Sequence, residues 1–214
     1  MLTVLIDYDS GNLHSAEKAF QRMARETGAG AVLVSSRPED VARADRVVLP
    51  GDGAFPACRR ALMQDRAALH QALVEAVEVR ARPFLGICVG MQLMARTGHE
   101  YEATPGLGWI DGEVHRIDPA DPRLKVPHMG WNDVTVERAH PVLDGIGTGA
   151  HFYFVHSYQM VVDAGSDERL AAVDYGGPVT AVVARGTCVG TQFHPEKSQA
   201  DGLRLIANFL RWRP

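Results

Sequence analysis

Four short apolar runs, each closed by a turn, constrain this chain more than any other feature. Leu2-Thr3-Val4-Leu5-Ile6 runs into Asp7-Tyr8-Asp9-Ser10-Gly11-Asn12, which has turn chemistry. Leu13, Ala16, Ala19, Phe20 and Met23 then recur at helical spacing, and Gly28 and Gly30 supply the stop. Ala31 to Val34 and Arg46 to Leu49 repeat the strand signal. Pro50-Gly51-Asp52-Gly53 interrupts the chain before helical material that continues to about Arg80, and Pro83 to Cys88 reads as a buried strand. Strands that are apolar throughout, alternating with helices, predict a mostly parallel central sheet flanked by helices, an α/β fold.

The second half has another rhythm. Trp109 to Ile117, Trp131 to Val136, His151 to Val155, Leu170 to Tyr175, Val179 to Arg185 and Cys188 to Phe193 read as strands with short turns between them. Gly176-Gly177-Pro178 and Arg185-Gly186-Thr187 are hairpin-like, so additional antiparallel strands are expected there. Leu203, Ile206, Ala207 and Leu210 give a closing amphipathic helix over Ala200 to Trp212, and Asp118 to Pro122 reads as an exposed loop. At 214 residues the chain is expected to form a single domain over 1–214, large enough to bury a core without disulfides or metals.

A formal charge of −4 with mixed signs offers no broad basic field, which argues against nucleic-acid binding. Cys58, Cys88 and Cys188 are too few and too scattered for a disulfide framework and lack metal-site spacing, so a reducing compartment is the simpler reading. No window approaches the ~20 apolar residues of a membrane span, and the first residues lack a basic segment before an apolar stretch. A cytoplasmic, unanchored protein is expected. His128, His151, His156 and His194 lack paired ligand spacing, and neither a metal nor a cofactor is implied.

Three segments carry chemistry. Phe84-Leu85-Gly86-Ile87-Cys88-Val89-Gly90-Met91-Gln92 is an apolar strand running into a glycine-flanked cysteine and then a helix. Such a corner lifts the cysteine above the sheet edge, Gly86 and Gly90 remove crowding Cβ atoms, and a helix N-terminus favours the thiolate. The plainer reading is a small buried filler. Gly190 to Ser198 ends a strand in His194, with Glu196 two residues on: a base that could take the thiol proton and a carboxylate that could fix its tautomer. Pro50-Gly51-Asp52-Gly53 can supply N–H groups for an oxyanion together with Val89, or can be an ordinary turn.

In this order the three segments resemble the class I (triad) glutamine amidotransferases, whose fold is flavodoxin-like. Ile6 to Leu13, Pro50 to Phe55, Pro127-His128-Met129-Gly130-Trp131-Asn132 and Tyr153-Phe154-Val155-His156-Ser157-Tyr158 narrow the likeness to the glutaminase subunits of imidazole glycerol phosphate synthases, from Leu5 to about Phe209. The resemblance implies a histidine-biosynthetic glutaminase without a cofactor. Its ammonia would pass to a (β/α)8-barrel cyclase subunit in a heterodimer, and the cyclase would make imidazole glycerol phosphate and an aminoimidazole carboxamide ribotide. It implies Cys88, His194 and Glu196 as the triad, and Gly51, Gly53 and Val89 at the oxyanion site. Gln92, Glu100, Ser157 and Tyr158 would line the glutamine pocket, Glu100 pairing with the substrate's α-ammonium and the backbone near Ser157 and Tyr158 holding its α-carboxylate. Asn12, Trp131, Tyr153 and Lys197 would face the cyclase. Trp131 and Tyr153 also have a plainer reading as core aromatics, and Lys197 as a solvated charge.

Two positions depart from the family pattern. Asp52 stands where many members have an apolar residue, and its carboxylate is expected to face away from a developing oxyanion. Asp9-Ser10 precedes Gly11 where glycine is more usual at the first position, a change expected to alter loop conformation alone. The competing functions are a glutaminase serving another synthase, of the pyridoxal phosphate or anthranilate type, and a catalytically silent subunit that only supports its partner.

Overall fold

The computed structural model describes residues 1–163 and 165–214. The first half alternates β1 (Leu2–Ile6), α1 (Leu13–Thr27), β2 (Ala31–Ser35), α2 (Pro38–Ala42), β3 (Arg46–Gly51), α3 (Phe55–Met63), α4 (Ala67–Val74), β4 (Phe84–Cys88) and α5 (Val89–Gln92). Next come β5 (Thr97–Glu100), β6 (Glu102–Pro105), β7 (Glu113–Arg116), β8 (His128–Val136), β9 (Ala150–His156), β10 (Tyr158–Val161), β11 (Arg169–Asp174), β12 (Pro178–Arg185), β13 (Cys188–Thr191) and α6 (Gln199–Arg211).

Among the described residues the main sheet has nine strands in the order β2-β1-β3-β4-β13-β12-β11-β8-β9. The first five are parallel, and β12, β11, β8 and β9 continue the sheet antiparallel. A second sheet of four strands runs β10-β7-β5-β6. β3 and β4 are buried at every position, as expected of strands covered on both faces. α1 starts at Asn12, whose side chain accepts from the Ser15 N–H, and stops at Gly28 in the left-handed conformation. Its Phe20 meets Phe209 of α6 edge-on at 6.5 Å. Each such fully buried side chain contributes about 1.5–3 kcal/mol.

Several elements differ from the sequence reading. The helical material before Arg80 breaks into α3 and α4, with a wider helical turn over Glu75–Val79. Of the strand expected over Trp109 to Ile117, only Glu113–Arg116 forms. The Trp109 and Ile110 N–H groups both donate to Met94 O, and the Trp109 ring packs edge-on to Phe84 while its indole N–H donates to Glu78 at 2.7 Å. The apolar character there serves docking, not pairing. The sequence rhythm puts β13 among antiparallel strands; it is antiparallel to β12 but parallel to β4, and that pairing brings the late histidine segment beside the nucleophile.

Candidate active site

Cys88 ends β4 and immediately precedes α5, with φ 55° and ψ −112°. A positive φ at a non-glycine residue is strained, and such strain persists only where the surroundings over-determine it. Here they do. A Cβ on Gly86 would lie 2.5 Å from Gly90 O, and one on Gly51 would lie 2.7 Å from Gly90 N. The turn therefore closes only because these positions lack side chains.

His194 follows β13, whose Thr191 is in register with Ile87, one residue before Cys88. His194 is 4% exposed, its Nδ1 lies 2.8 Å from Glu196 Oε1, and the Cys88 side chain is close enough to influence its charge. With Nδ1 given to the carboxylate, Nε2 is the nitrogen that faces the sulfur. Burial opposes the charged imidazole, yet the Cys88 sulfur and the Glu196 carboxylate outweigh it and push His194 up to about 10. The base is held by its backbone as well. Its N–H donates to Tyr153 O at 3.0 Å, and Ser198 Oγ donates to His194 O at 2.6 Å while accepting from Tyr153 N. Ser198 carries no motif, and sequence reasoning missed it.

Gly51 is in register with Cys88, and Val89 opens α5, where first-turn N–H groups have no intrahelical acceptor. The intervening loop is tied back. Ser10 Oγ accepts from Asp52 N–H at 3.0 Å and donates to Asp52 O at 2.6 Å, and Cys58 Sγ donates to the same carbonyl at 3.5 Å. The Asp52 N–H is therefore engaged by Ser10. Asp52, expected to face away, is exposed yet lines the cleft. Ser10 ties the Asp52 peptide, a contact the sequence reading did not include. Asp9 has φ 64°, a conformation that explains why glycine suits that position.

The cleft over Cys88 is lined by Gly53, Val89, Gln92, Glu100, Ser157 and Tyr158, among others. All four expected glutamine-pocket residues therefore converge. Glu100 also serves the fold, because its Oε2 accepts the Phe55 N–H at 2.7 Å, at the N-terminus of α3, where a carboxylate is favoured. Gln92 Nε2 donates to Tyr158 O at 2.9 Å and to Gln192 Oε1 at 3.1 Å. Gln192 Nε2 reaches Cys88 Sγ at 3.7 Å.

Asn12 is exposed at the start of α1, Lys197 is partly exposed, and Trp131 on β8 pairs with Tyr153 on β9, the rings edge-on at 6.0 Å. Trp131 is 47% exposed and Met129 beside it 62%, so Trp131 is no core aromatic. Of the four histidines weighed as ligands, His151 pairs with Asp133 and His194 with Glu196. His128 and His156 form a buried pair, Nδ1 to Nε2 at 3.1 Å. A different group, His99, Glu113 and His115, holds its ligand atoms within 4.8 Å of one another. Its imidazoles stack at 4.5 Å and 11°, both Nε2 atoms approach Glu113 Oε2, at 2.9 and 3.4 Å, and Arg96 ion-pairs with the same carboxylate.

A nucleophile elbow on a five-stranded parallel sheet, served by a buried histidine–carboxylate pair from the adjacent strand, defines a cysteine hydrolase of α/β class. The family profile described as Glutamine amidotransferase class-I matches residues 4–212, and the chain belongs to that family. Relatives named "Imidazole glycerol phosphate synthase subunit HisH" are 73% identical in Cereibacter sphaeroides and 70% in Ruegeria pomeroyi, each over 100% of both chains. Among solved structures, one titled as a glutamine amidotransferase aligns with TM-score 0.72 at 19% identity over 97% of both chains. The glutaminase domain of Trypanosoma brucei CTPS with bound acivicin aligns with TM-score 0.66 at 15% identity, covering 100% of this chain and 95% of that one. At these identities the structural likeness concerns the fold. No described helix is long and apolar enough to cross a membrane.

Proposed function

We propose that this chain is the glutaminase subunit of an imidazole glycerol phosphate synthase, acting as one cytoplasmic domain in a heterodimer with a (β/α)8-barrel cyclase. The observation that carries the chemistry is the buried His194–Glu196 pair, set beside the strained Cys88 by the parallel pairing of β13 with β4. The identity of the synthase rests on the full-length relatives.

In the proposed reaction the Cys88 thiolate attacks the carboxamide carbon of glutamine, and the developing oxyanion takes the Val89 N–H together with those of Gly51 and Gly53. His194, an imidazolium at neutral pH, gives its proton to the departing nitrogen, so ammonia leaves and a glutamyl thioester remains. His194 then takes a proton from water, hydroxide adds to the thioester, and glutamate is released with the thiolate restored. The Glu100 oxygen not bonded to Phe55 is available for the α-ammonium, and the backbone near Ser157 and Tyr158 for the α-carboxylate. Ammonia in bulk water at neutral pH protonates and loses its nucleophilicity, which is why a docked cyclase must receive it. Asn12, Trp131, Tyr153 and Lys197 are the proposed docking residues.

The test is glutamate release by the purified chain, alone and with a cyclase-type barrel and its nucleotide ligand, with Cys88→Ala as control. Release that depends on both Cys88 and the barrel is expected. Release indifferent to the barrel would reassign the partner to another synthase, and no release under either condition would make the chain a silent supporting subunit.

A further inference from the structure

We infer that Gln192 is a further catalytic side chain, a hydrogen-bond donor to the Cys88 sulfur whose orientation is imposed by the Tyr158 carbonyl through Gln92. The inference deepens the glutaminase reading and rests on it for the role of the nucleophile.

The argument turns on the polarity of a buried chain. A backbone carbonyl can only accept, so at Tyr158 O, 2.9 Å away, Gln92 must present its NH2 group. The second hydrogen of that group meets Gln192 at 3.1 Å, so Gln192 must answer with its oxygen. Its own NH2 is thereby turned to Cys88 Sγ at 3.7 Å, a reach normal for the larger sulfur atom. Inverting Gln192 would set NH2 against NH2 on one side and oxygen against sulfur on the other. Gln192 is fully buried and Gln92 is 3% exposed, so solvent does not stand in for a lost partner.

The Tyr158 carbonyl is itself held from the far side. His156 Nδ1–H donates to it at 2.8 Å, which leaves His156 Nε2 to accept from His128 Nδ1–H at 3.1 Å. His128 Nε2 then accepts from Asn132 Nδ2 at 3.3 Å, and Asn132 Oδ1 accepts from the Asp133 N–H at 2.8 Å, fixing that amide. Each ring has one donor and one acceptor, so both are neutral; burial agrees, pushing His156 down to about 3 and His128 to about 4. A proton added to His156 would face N–H with N–H. The carbonyl is thus a fixed reference for both glutamines, and the donor it aims at the sulfur stabilises negative charge on that atom.

The test is alkylation of Cys88 by iodoacetamide across a pH series, without glutamine or partner, with the modified residue identified by peptide mass mapping. In Gln192→Met the rising limb of the alkylation profile moves to higher pH, and the rate measured on that limb falls up to ~10-fold. The kcat for glutamate release falls about 10-fold while KM stays within about 3-fold, since the lost contact is to the nucleophile and not to the substrate. Gln92→Glu cannot donate to either partner; Gln192 then turns its NH2 toward the new carboxylate, and the profile moves the same way. Gln192→Glu, of equal shape, moves it further and serves if the methionine variant does not fold. A folded Gln192 variant with the wild-type profile overturns the inference, and a shift in Gln192→Met without one in Gln92→Glu overturns the imposed orientation. Since this assay uses no glutamine, either result leaves the glutaminase reading to its own test.

Discussion

Glu196→Gln separates the charge of the histidine's partner from its shape, because glutamine keeps an acceptor for Nδ1–H and loses only the negative charge. In the native site the two side chains are 5% and 3% exposed and meet at 2.8 Å, and Glu196 Oε2 has no partner among the described residues. Solvent therefore screens little of the attraction. An opposite charge at this range shifts a neighbour by roughly 1–3 units, and each unit is ~1.4 kcal/mol, so the variant weakens the imidazolium by about 1.4–4 kcal/mol. The imidazolium is the acid that releases ammonia, so kcat/KM for partner-activated glutamate release should change little at pH 7 and fall between ~10- and ~1000-fold on the alkaline side of the native limb. Its alkaline limb, set by a His194 value of about 10 in the native chain, should move down by roughly 1–3 pH units. Stability should follow. The folded value lies above the ordinary one, so this histidine's contribution is complete below pH ~6.5 and is lost as pH rises toward 10. The gap in urea midpoint between wild type and variant should therefore narrow from pH 7 to pH 10. An alkaline limb that does not move, or activity at pH ~10 within about 2-fold of wild type, would refute the charge argument whatever the effect on stability.

Three further outcomes are expected. Ser10→Ala removes two of the three hydrogen bonds that hold the Asp52 peptide; at about 0.5–1.5 kcal/mol per neutral bond, partner-independent glutamate release should rise between ~5- and ~150-fold, and an unchanged basal rate would show that Ser10 does not restrain the loop. Trp131→Ala should weaken association with the cyclase barrel by about 30-fold or more, as loss of an aromatic anchor does, while the partner-free rate stays put; calorimetric titration of the two subunits measures it. His128 and His156 are lowered in the fold, so their contribution is complete above the ordinary histidine value and lost as pH falls from ~6.5 toward 4 and 3. The urea midpoint should therefore drop from pH 7 to pH 5 by more than in a His128→Phe variant, and equal drops would contradict the neutral pair.

The residues differ in how much they disclose before folding. β1, β3 and β4 are legible because strands buried on both faces must be apolar throughout, and Cys88 because a strand-to-helix corner needs glycine on either side. β5 and β6 are not. Thr97–Glu100 and Glu102–Pro105 are polar and short, and their pairing is decided by neighbours in space. Trp109 misleads because a docked aromatic and a strand aromatic look alike in one dimension. Ser10 and Gln192 escape notice for a related reason: a hydroxyl or an amide has no spacing signature, and its meaning depends on the atom it meets some 40 or 100 residues away. Glu100 is legible as a pocket residue, but not as the carboxylate that receives the first N–H of α3.

The two halves of the catalytic apparatus are each one hydrogen bond from a segment proposed to face the partner. The loop carrying Asn12 also carries Ser10, which holds the Asp52 peptide between the two oxyanion glycines. On the strand carrying Tyr153, the Tyr153 carbonyl accepts the His194 N–H and its N–H donates to Ser198 Oγ, and the neighbour of Tyr153 across the ladder is Trp131. A partner that presses on these segments therefore needs to move neither the central sheet nor Cys88, whose φ and ψ are locked by glycine contacts on β3 and α5. It needs only to release one peptide and hold one strand. The local changes cost a few weak hydrogen bonds, whereas moving the elbow would break close packing. Control of a reaction at a rigid nucleophile is then most readily exerted through the loop and the base that flank it, and in this chain both lie within reach of the same surface.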